Sequence, residues 1–129
     1  MKLGFIGCGN MAKAMIAGII GNGICKAEEI IGTTKSEKSR EQVKAEFGIQ
    51  MAEQNIEVAK AADVIVLAVK PQFYEEVICE IKDVVNENQI VVSIAPGKTL
   101  VWLEEKFGKK MKIVRTMPNT PAMVQEGMT

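Results

Sequence analysis

The chain contains no histidine. That removes the commonest general acid–base and the commonest zinc ligand, so any chemistry must draw on another donor or on a cofactor. An excess of charge of either sign is also missing. The 16 Lys and Arg residues balance 16 Asp and Glu residues, which leaves neither a basic field for nucleic acid nor an acidic regulatory arm. No apolar run approaches the roughly eighteen residues needed to span a bilayer, so no membrane partner is expected. The first residues do not read as a secretory leader, because Gly-Cys-Gly-Asn and Lys13 break their apolar start. Cysteine is scarce and odd in number. Cys8, Cys25 and Cys79 lack metal or redox spacing and are expected to be free thiols in a reducing cytoplasm. Internal repeats, low-complexity tracts and linkers are absent. A chain of 129 residues is expected to be a single domain with a real core.

What is present begins at once. Lys2-Leu-Gly-Phe-Ile-Gly7-Cys8-Gly9-Asn10-Met11-Ala12 reads as a buried strand entering a Gly-x-Gly-x-x-Ala turn and then a helix. That is the opening of a dinucleotide-binding βαβ unit. Gly7 permits the tight turn, Gly9 lets backbone approach a pyrophosphate, and Ala12 keeps the helix close to the strand. The helix N-terminus offers N–H groups and a positive dipole end. Cys8 inside this turn reads as a small filler rather than a nucleophile.

Strand and helix patterns then alternate. Ala12, Met15, Ile16, Ile19 and Ile20 recur at helical spacing, and Gly21-Asn22-Gly23 stops that helix. Glu29 to Thr34 reads as a second strand, and Ser36 caps a helix that Gly48 closes after Phe47. Ile49–Met51 is a short strand, and a brief helix follows Asn55. Asp63 to Val69 is a strongly apolar fourth strand. A helix starting at Pro71 carries Val77, Ile78, Ile81, Val84 and Val85. Gln89–Ile94 is a fifth strand, Thr99 to Phe107 a helix, and Lys112–Arg115 a sixth strand. This alternation predicts an α/β fold of Rossmann type, a mostly parallel sheet wound on both sides.

At the end of the second strand an NAD-binding domain places an acid for the ribose 2′-OH. Glu28 and Glu29 precede the strand instead, and it ends in Thr33-Thr34-Lys35-Ser36 with Arg40 one turn on. Hydroxyls and cations suit a 2′-phosphate, so NADP(H) is preferred and NAD(H) possible; the bland alternative is a solvated helix start. Beyond the strand ends lie Ala68-Val69-Lys70-Pro71-Gln72, Ser93-Ile94-Ala95-Pro96-Gly97 and Met117-Pro118-Asn119-Thr120-Pro121, candidate walls of a nicotinamide pocket. Lys70 is the one charged group near the expected reaction centre, with a solvent-facing lysine as the alternative.

Gly4-Phe-Ile-Gly-Cys-Gly-Asn-Met-Ala12, Leu67-Ala-Val-Lys-Pro-Gln72 and Val114-Arg-Thr-Met-Pro-Asn-Thr-Pro-Ala122 resemble the pyrroline-5-carboxylate reductase family, in its order and spacing. The resemblance extends over the whole chain, and its Met-Pro-Asn-Thr-Pro segment is its most specific part. Pro96 stands where the family more often has a small residue. Lys35 replaces the usual arginine, which loses a planar fork and softens the expected NADPH selectivity. The resemblance implies the final step of proline synthesis, NAD(P)H-dependent reduction of 1-pyrroline-5-carboxylate to L-proline. It places Gly7, Gly9, Asn10, Met11 and Ala12 at the pyrophosphate. Thr34, Lys35 and Ser36 fall at the adenosine 2′-phosphate, and Asn55 near the ribose. Ala68, Val69, Lys70 and Pro71 run beside the nicotinamide half, with Ala95, Asn119 and Thr120 nearby. It also implies that residues 1–129 are the cofactor half of a two-domain reductase. The further helical domain would carry the imino-acid pocket, the main catalytic candidates and the homo-oligomer interface, leaving this chain alone inactive. Two rival readings stand beside it. One is another reductase of the β-hydroxyacid-dehydrogenase-like or F420-linked group, against which Met-Pro-Asn-Thr-Pro speaks. The other is a non-enzymatic dinucleotide-sensing module.

Overall fold

A computed structural model describes residues 2–34, 36–94, 99–108 and 111–115, with only the backbone of Asn10. The strands are β1 (Leu3–Ile6), β2 (Ile30–Thr33), β3 (Gln50–Ala52), β4 (Val64–Leu67), β5 (Ile90–Ser93) and β6 (Lys112–Arg115). Between them run α1 (Asn10–Gly21), α2 (Glu37–Phe47), α3 (Asn55–Ala61), α4 (Tyr74–Ile81) and α5 (Leu100–Phe107). All strand pairs are parallel, in the order β3-β2-β1-β4-β5-β6. That is the doubly wound order, and its direction reverses between β1 and β4.

Alternating strand residues serve two cores. Ile6, Ile31, Ile65, Leu67 and Val91 face α3, α4 and α5, where Val58, Ile78 and Leu103 pack against them. Leu3, Phe5, Ile30 and Val66 face α1 and α2, meeting Ile16 and Val43. β1 and β2 are buried along their whole length, as parallel strands covered on both faces must be. Helix α3 crosses from the edge strand β3 to the centre and lies against β1 at Gly4. A Cβ there would stand 2.7 Å from Ala62 Cβ and would also strike Val58, so only glycine admits the helix this closely.

The helix ends follow local chemistry. Ser36 Oγ accepts from Ser39 N (3.1 Å) at the start of α2. Thr99 Oγ1 accepts from Trp102 N (3.0 Å) at the start of α5. Both helices stop at left-handed glycines, Gly48 and Gly108. Buried Gln89 closes α3, its Nε2 donating to Ala59 O (2.6 Å) and Ala62 O (2.7 Å).

Several expected boundaries move. Glu29 closes a 3-10 turn over Ala27–Glu29 rather than starting β2, because its Oε1 accepts from Lys26 N (3.0 Å). β3 begins one residue later than expected, at Gln50, and Ile49 instead fills the core beside α2. Asp63, Ala68 and Val69 fall outside β4, and Asp63 Oδ2 is taken by Lys2 N (2.8 Å). Pro71–Phe73 is a 3-10 turn, and the α-helix starts only at Tyr74. It also ends before Val84 and Val85, whose N–H groups both donate to Ile81 O. Gln89 Oε1 then accepts from Asn86 N (2.8 Å) and holds a turn directly after Val85. Val85 remains buried, so the apolar spacing was a core signal without being a helix signal.

Candidate functional site

The reversal of strand order opens a cleft beyond the carboxyl ends of β1, β2 and β4. Two cavities, of about 520 and 380 Å³, share Gly7, Thr34, Val69 and Phe73 and so form one continuous groove. The larger extends past the start of α3 at Asn55 and along α4 from Glu76 and Val77 to Glu80. The smaller lies at the glycine turn, beside Cys8, Gly9, Ala68 and Lys70.

Gly7 has a φ of +88°, and a Cβ on it would stand 2.7 Å from Val69 Cγ1 and 3.0 Å from Val69 N. Its glycine is required by both conformation and space. Gly9 differs: its φ is −81° and nothing lies within 4 Å of a built Cβ. The space above it is open. Gly9 is also the N-cap of α1, among the described residues no side chain caps that end, and no acid stands in its first turn. The first N–H groups of the helix therefore face the cleft without an intrahelical partner. Ala12 is fully buried beneath them, which lets α1 sit close to the sheet.

The Gly7 amide is not among these open donors. Gly7 N donates to Thr33 Oγ1 (3.3 Å), Thr33 Oγ1 donates to Asn55 Oδ1 (2.8 Å), and Asn55 Nδ2 donates to Glu80 Oε2 (3.0 Å). A polar chain thus runs from the turn through β2 and α3 to α4. Thr33 is buried and Glu80 exposed. On the other flank, buried Tyr74 donates from its hydroxyl to Leu67 O. The Tyr74 hydroxyl oxygen in turn accepts from Ser93 Oγ (3.3 Å) and Ile94 N (3.2 Å). This ties the ends of β4 and β5 together at the rim.

The sequence-predicted residues distribute unevenly. Gly7, Gly9, Thr34, Asn55, Ala68, Val69 and Lys70 line the cleft. Met11 is 45% exposed, and Pro71 and Ser36 are exposed, and among the described residues none of these lines either cavity. Ser36 is occupied at the cap of α2, while Ser39, one turn on, does line the smaller cavity. Lys35, Ala95, Asn119 and Thr120, and the side chain of Asn10, lie outside the described residues. Sequence reasoning read Thr33 only among the hydroxyls suited to a 2′-phosphate, not as the partner of Gly7, and it missed Phe73, Val77 and Glu80. Thr33 was legible as a hydroxyl near the end of the second strand, which stops at Thr33 rather than at the expected Thr34, but its partners were not.

Cys8 is 7% exposed, packed where a Cβ on Gly32 would stand 2.7 Å from its sulfur. Burial pushes its thiol up to about 11 from 9.0, against smaller opposing effects of the Thr33 backbone and Lys13. It is a protonated filler at neutral pH, in keeping with its sequence reading. Among the described residues no three His, Cys, Asp or Glu side chains are placed to hold a metal ion. No helix among them is long and apolar enough to cross a membrane.

Comparison with known proteins places this geometry. The family described as NADP oxidoreductase, coenzyme F420-dependent, matches residues 2–97. The pyrroline-5-carboxylate reductase of Escherichia coli is 46% identical over 128 residues, covering 99% of this chain and 48% of that protein. Among solved structures, the pyrroline-5-carboxylate reductase of Coxiella burnetii superposes with a TM-score of 0.88 at 39% identity, covering 96% of this chain and 46% of the other. That of Plasmodium falciparum, with NADP bound, gives 0.82 at 35% identity, covering 96% and 44%. This chain spans about half the length of the relatives it matches. It belongs to the NADP oxidoreductase, coenzyme F420-dependent, family, and within that family its resemblance is to the pyrroline-5-carboxylate reductases.

Proposed function

We propose that these residues bind NADP(H) and form the cofactor half of a two-domain reductase that converts 1-pyrroline-5-carboxylate to L-proline. The observation that carries this reading is the open, uncapped N-terminus of α1 above Gly9, set in the cleft at the β1–β4 reversal. It fits a dinucleotide: unpaired N–H groups and a dipole end suit a pyrophosphate, and the absence of a Cβ on Gly9 permits contact. Thr34 just after β2 and Ser36 at the cap of α2 support an adenosine 2′-phosphate subsite there, with Lys35 between them in sequence. NADP bound to the Plasmodium relative supports that choice over NAD.

Such a cofactor supplies hydride to the carbon of a C=N bond. A protonated imine is already a good electrophile, so the protein need only position it, exclude water and fix the approach. That suits a chain without histidine. Ala68 and Val69 form an apolar wall beside the turn, and Lys70 reaches the same cavity. A lysine ammonium there suits a carboxylate or phosphate. The imino-acid pocket, the principal catalytic groups and the homo-oligomer interface are assigned to the remaining half of the relatives' length. Three free thiols, Cys8, Cys25 and Cys79, support a reducing cytoplasmic setting.

The test follows NADPH oxidation with 1-pyrroline-5-carboxylate, using this chain and a chain of the relatives' full length. The expected result is turnover by the longer chain and little or none by residues 1–129. Unimpaired turnover by residues 1–129 alone would sink the two-domain reading. A longer chain that ignores this imine but reduces another substrate would favour a different reductase.

A further inference from the structure

We propose that Glu80 is a positioning residue that sets the glycine turn from helix α4, through Asn55 and Thr33. The inference rests on the cofactor reading above for its consequence but not for its geometry. Each hydrogen bond in the chain donates in one direction: Gly7 N to Thr33 Oγ1, Thr33 Oγ1 to Asn55 Oδ1, and Asn55 Nδ2 to Glu80 Oε2. Such a series polarises cooperatively and ends on an acceptor that carries charge.

That final carboxylate decides the orientation of the rest. An ionised carboxylate only accepts, so it holds the Asn55 amide with nitrogen outward and oxygen toward Thr33. The amide oxygen, in turn, takes the one proton of the Thr33 hydroxyl. The hydroxyl's lone pairs are then left for Gly7 N. Were the amide reversed, its oxygen would face the Glu80 carboxylate and its N–H would point at the Thr33 hydroxyl. Thr33 would have to turn its proton elsewhere, and nothing would fix its lone pair on Gly7. Removal of the Glu80 acceptor makes the two amide orientations close in energy. The turn whose φ of +88° aims the backbone at α1 then loses its tether.

The sign of the effect separates this role from simple electrostatics. Glu53, Glu76 and Glu80 all line the larger cavity. Loss of a carboxylate there should by charge alone tighten binding of an anionic dinucleotide. A positioning role predicts the reverse. Glu80→Ala removes both charge and acceptor, whereas Glu80→Gln removes the charge and keeps an oxygen that accepts from Asn55.

Two readouts on the 129-residue chain decide the matter. The first is amide hydrogen exchange at Gly7 by NMR, without ligand, which is independent of any cofactor assignment. Glu80→Ala should speed it about three- to tenfold, the loss of one charge-assisted hydrogen bond at an exposed group, with Glu80→Gln near the parent. The second is NADPH titration, in which Glu80→Ala should bind about three- to tenfold more weakly and Glu80→Gln, which loses only the charge, at least as tightly as the parent. In an Asn55→Ala background, Glu80→Ala should add nothing further. Unchanged Gly7 exchange in Glu80→Ala overturns the proposal, as does tighter NADPH binding by that variant or an equal loss in the Asn55→Ala background. If the parent chain fails to bind NADPH, the cofactor reading falls, and the exchange measurement still decides the tether.

Discussion

Gly7 and Gly9 stand two residues apart in one turn and are glycine for different reasons. Gly7 is held at positive φ against Val69, so its substitution strains the fold. Gly9 has ordinary φ and open space, so the fold alone makes little demand there. Gly9→Ala should therefore cost less than about 1 kcal/mol of stability. The same change should weaken NADPH binding by about tenfold or more, since the methyl enters the space the phosphates need. Thermal unfolding and titration of the one variant check both halves. Cys8, between them, carries a pH signature. Its folded value of about 11 exceeds 9.0, so the fold favours the protonated thiol. The stability this represents is fully present below pH 9.0 and is lost as the pH rises through about 11. The margin by which the parent exceeds a Cys8→Ala variant in urea unfolding should narrow across that window. A constant margin would show that the thiol does not feel its burial. At neutral pH, exposed Cys79 should alkylate first and Cys8 only on unfolding.

At the scale of elements, the caps of α2 and α5 provide a matched pair. Ser36 and Thr99 each accept a hydrogen bond from the third residue onward. Ser36→Ala and Thr99→Ala should each cost about 1 kcal/mol in denaturant unfolding. Only Ser36→Ala, at the proposed 2′-phosphate subsite, should lower the ratio of NADPH to NADH affinity. An equal change of ratio in both variants would remove α2 from cofactor selection. The cap at Ser36 and the glycine stop at Gly48 were legible because capping is written within four residues of sequence. The ends of α4 and β3 were not. Val84 and Val85 carry helical spacing, yet the Asn86–Gln89 turn captures the backbone first. Ile49 is as apolar as a strand residue, but its burial beside α2 comes from tertiary packing.

For the whole molecule, strand–helix alternation already implied a doubly wound sheet, and the strand order confirms it. The cleft position followed from that topology, and the glycine turn from its own sequence. The polar chain beneath the turn was beyond reach, because Thr33, Asn55 and Glu80 meet only when α3 crosses from β3 to β4 and packs beside α4. In sequence Glu80 is one more charge on a helix. Titration of the 129-residue chain with NADPH and separately with NADH, by calorimetry on folded protein, bears most directly on the cofactor assignment. Saturable binding of both, with NADPH the tighter, is the predicted result. No binding of either would contradict the claim that this cleft is built to hold a dinucleotide.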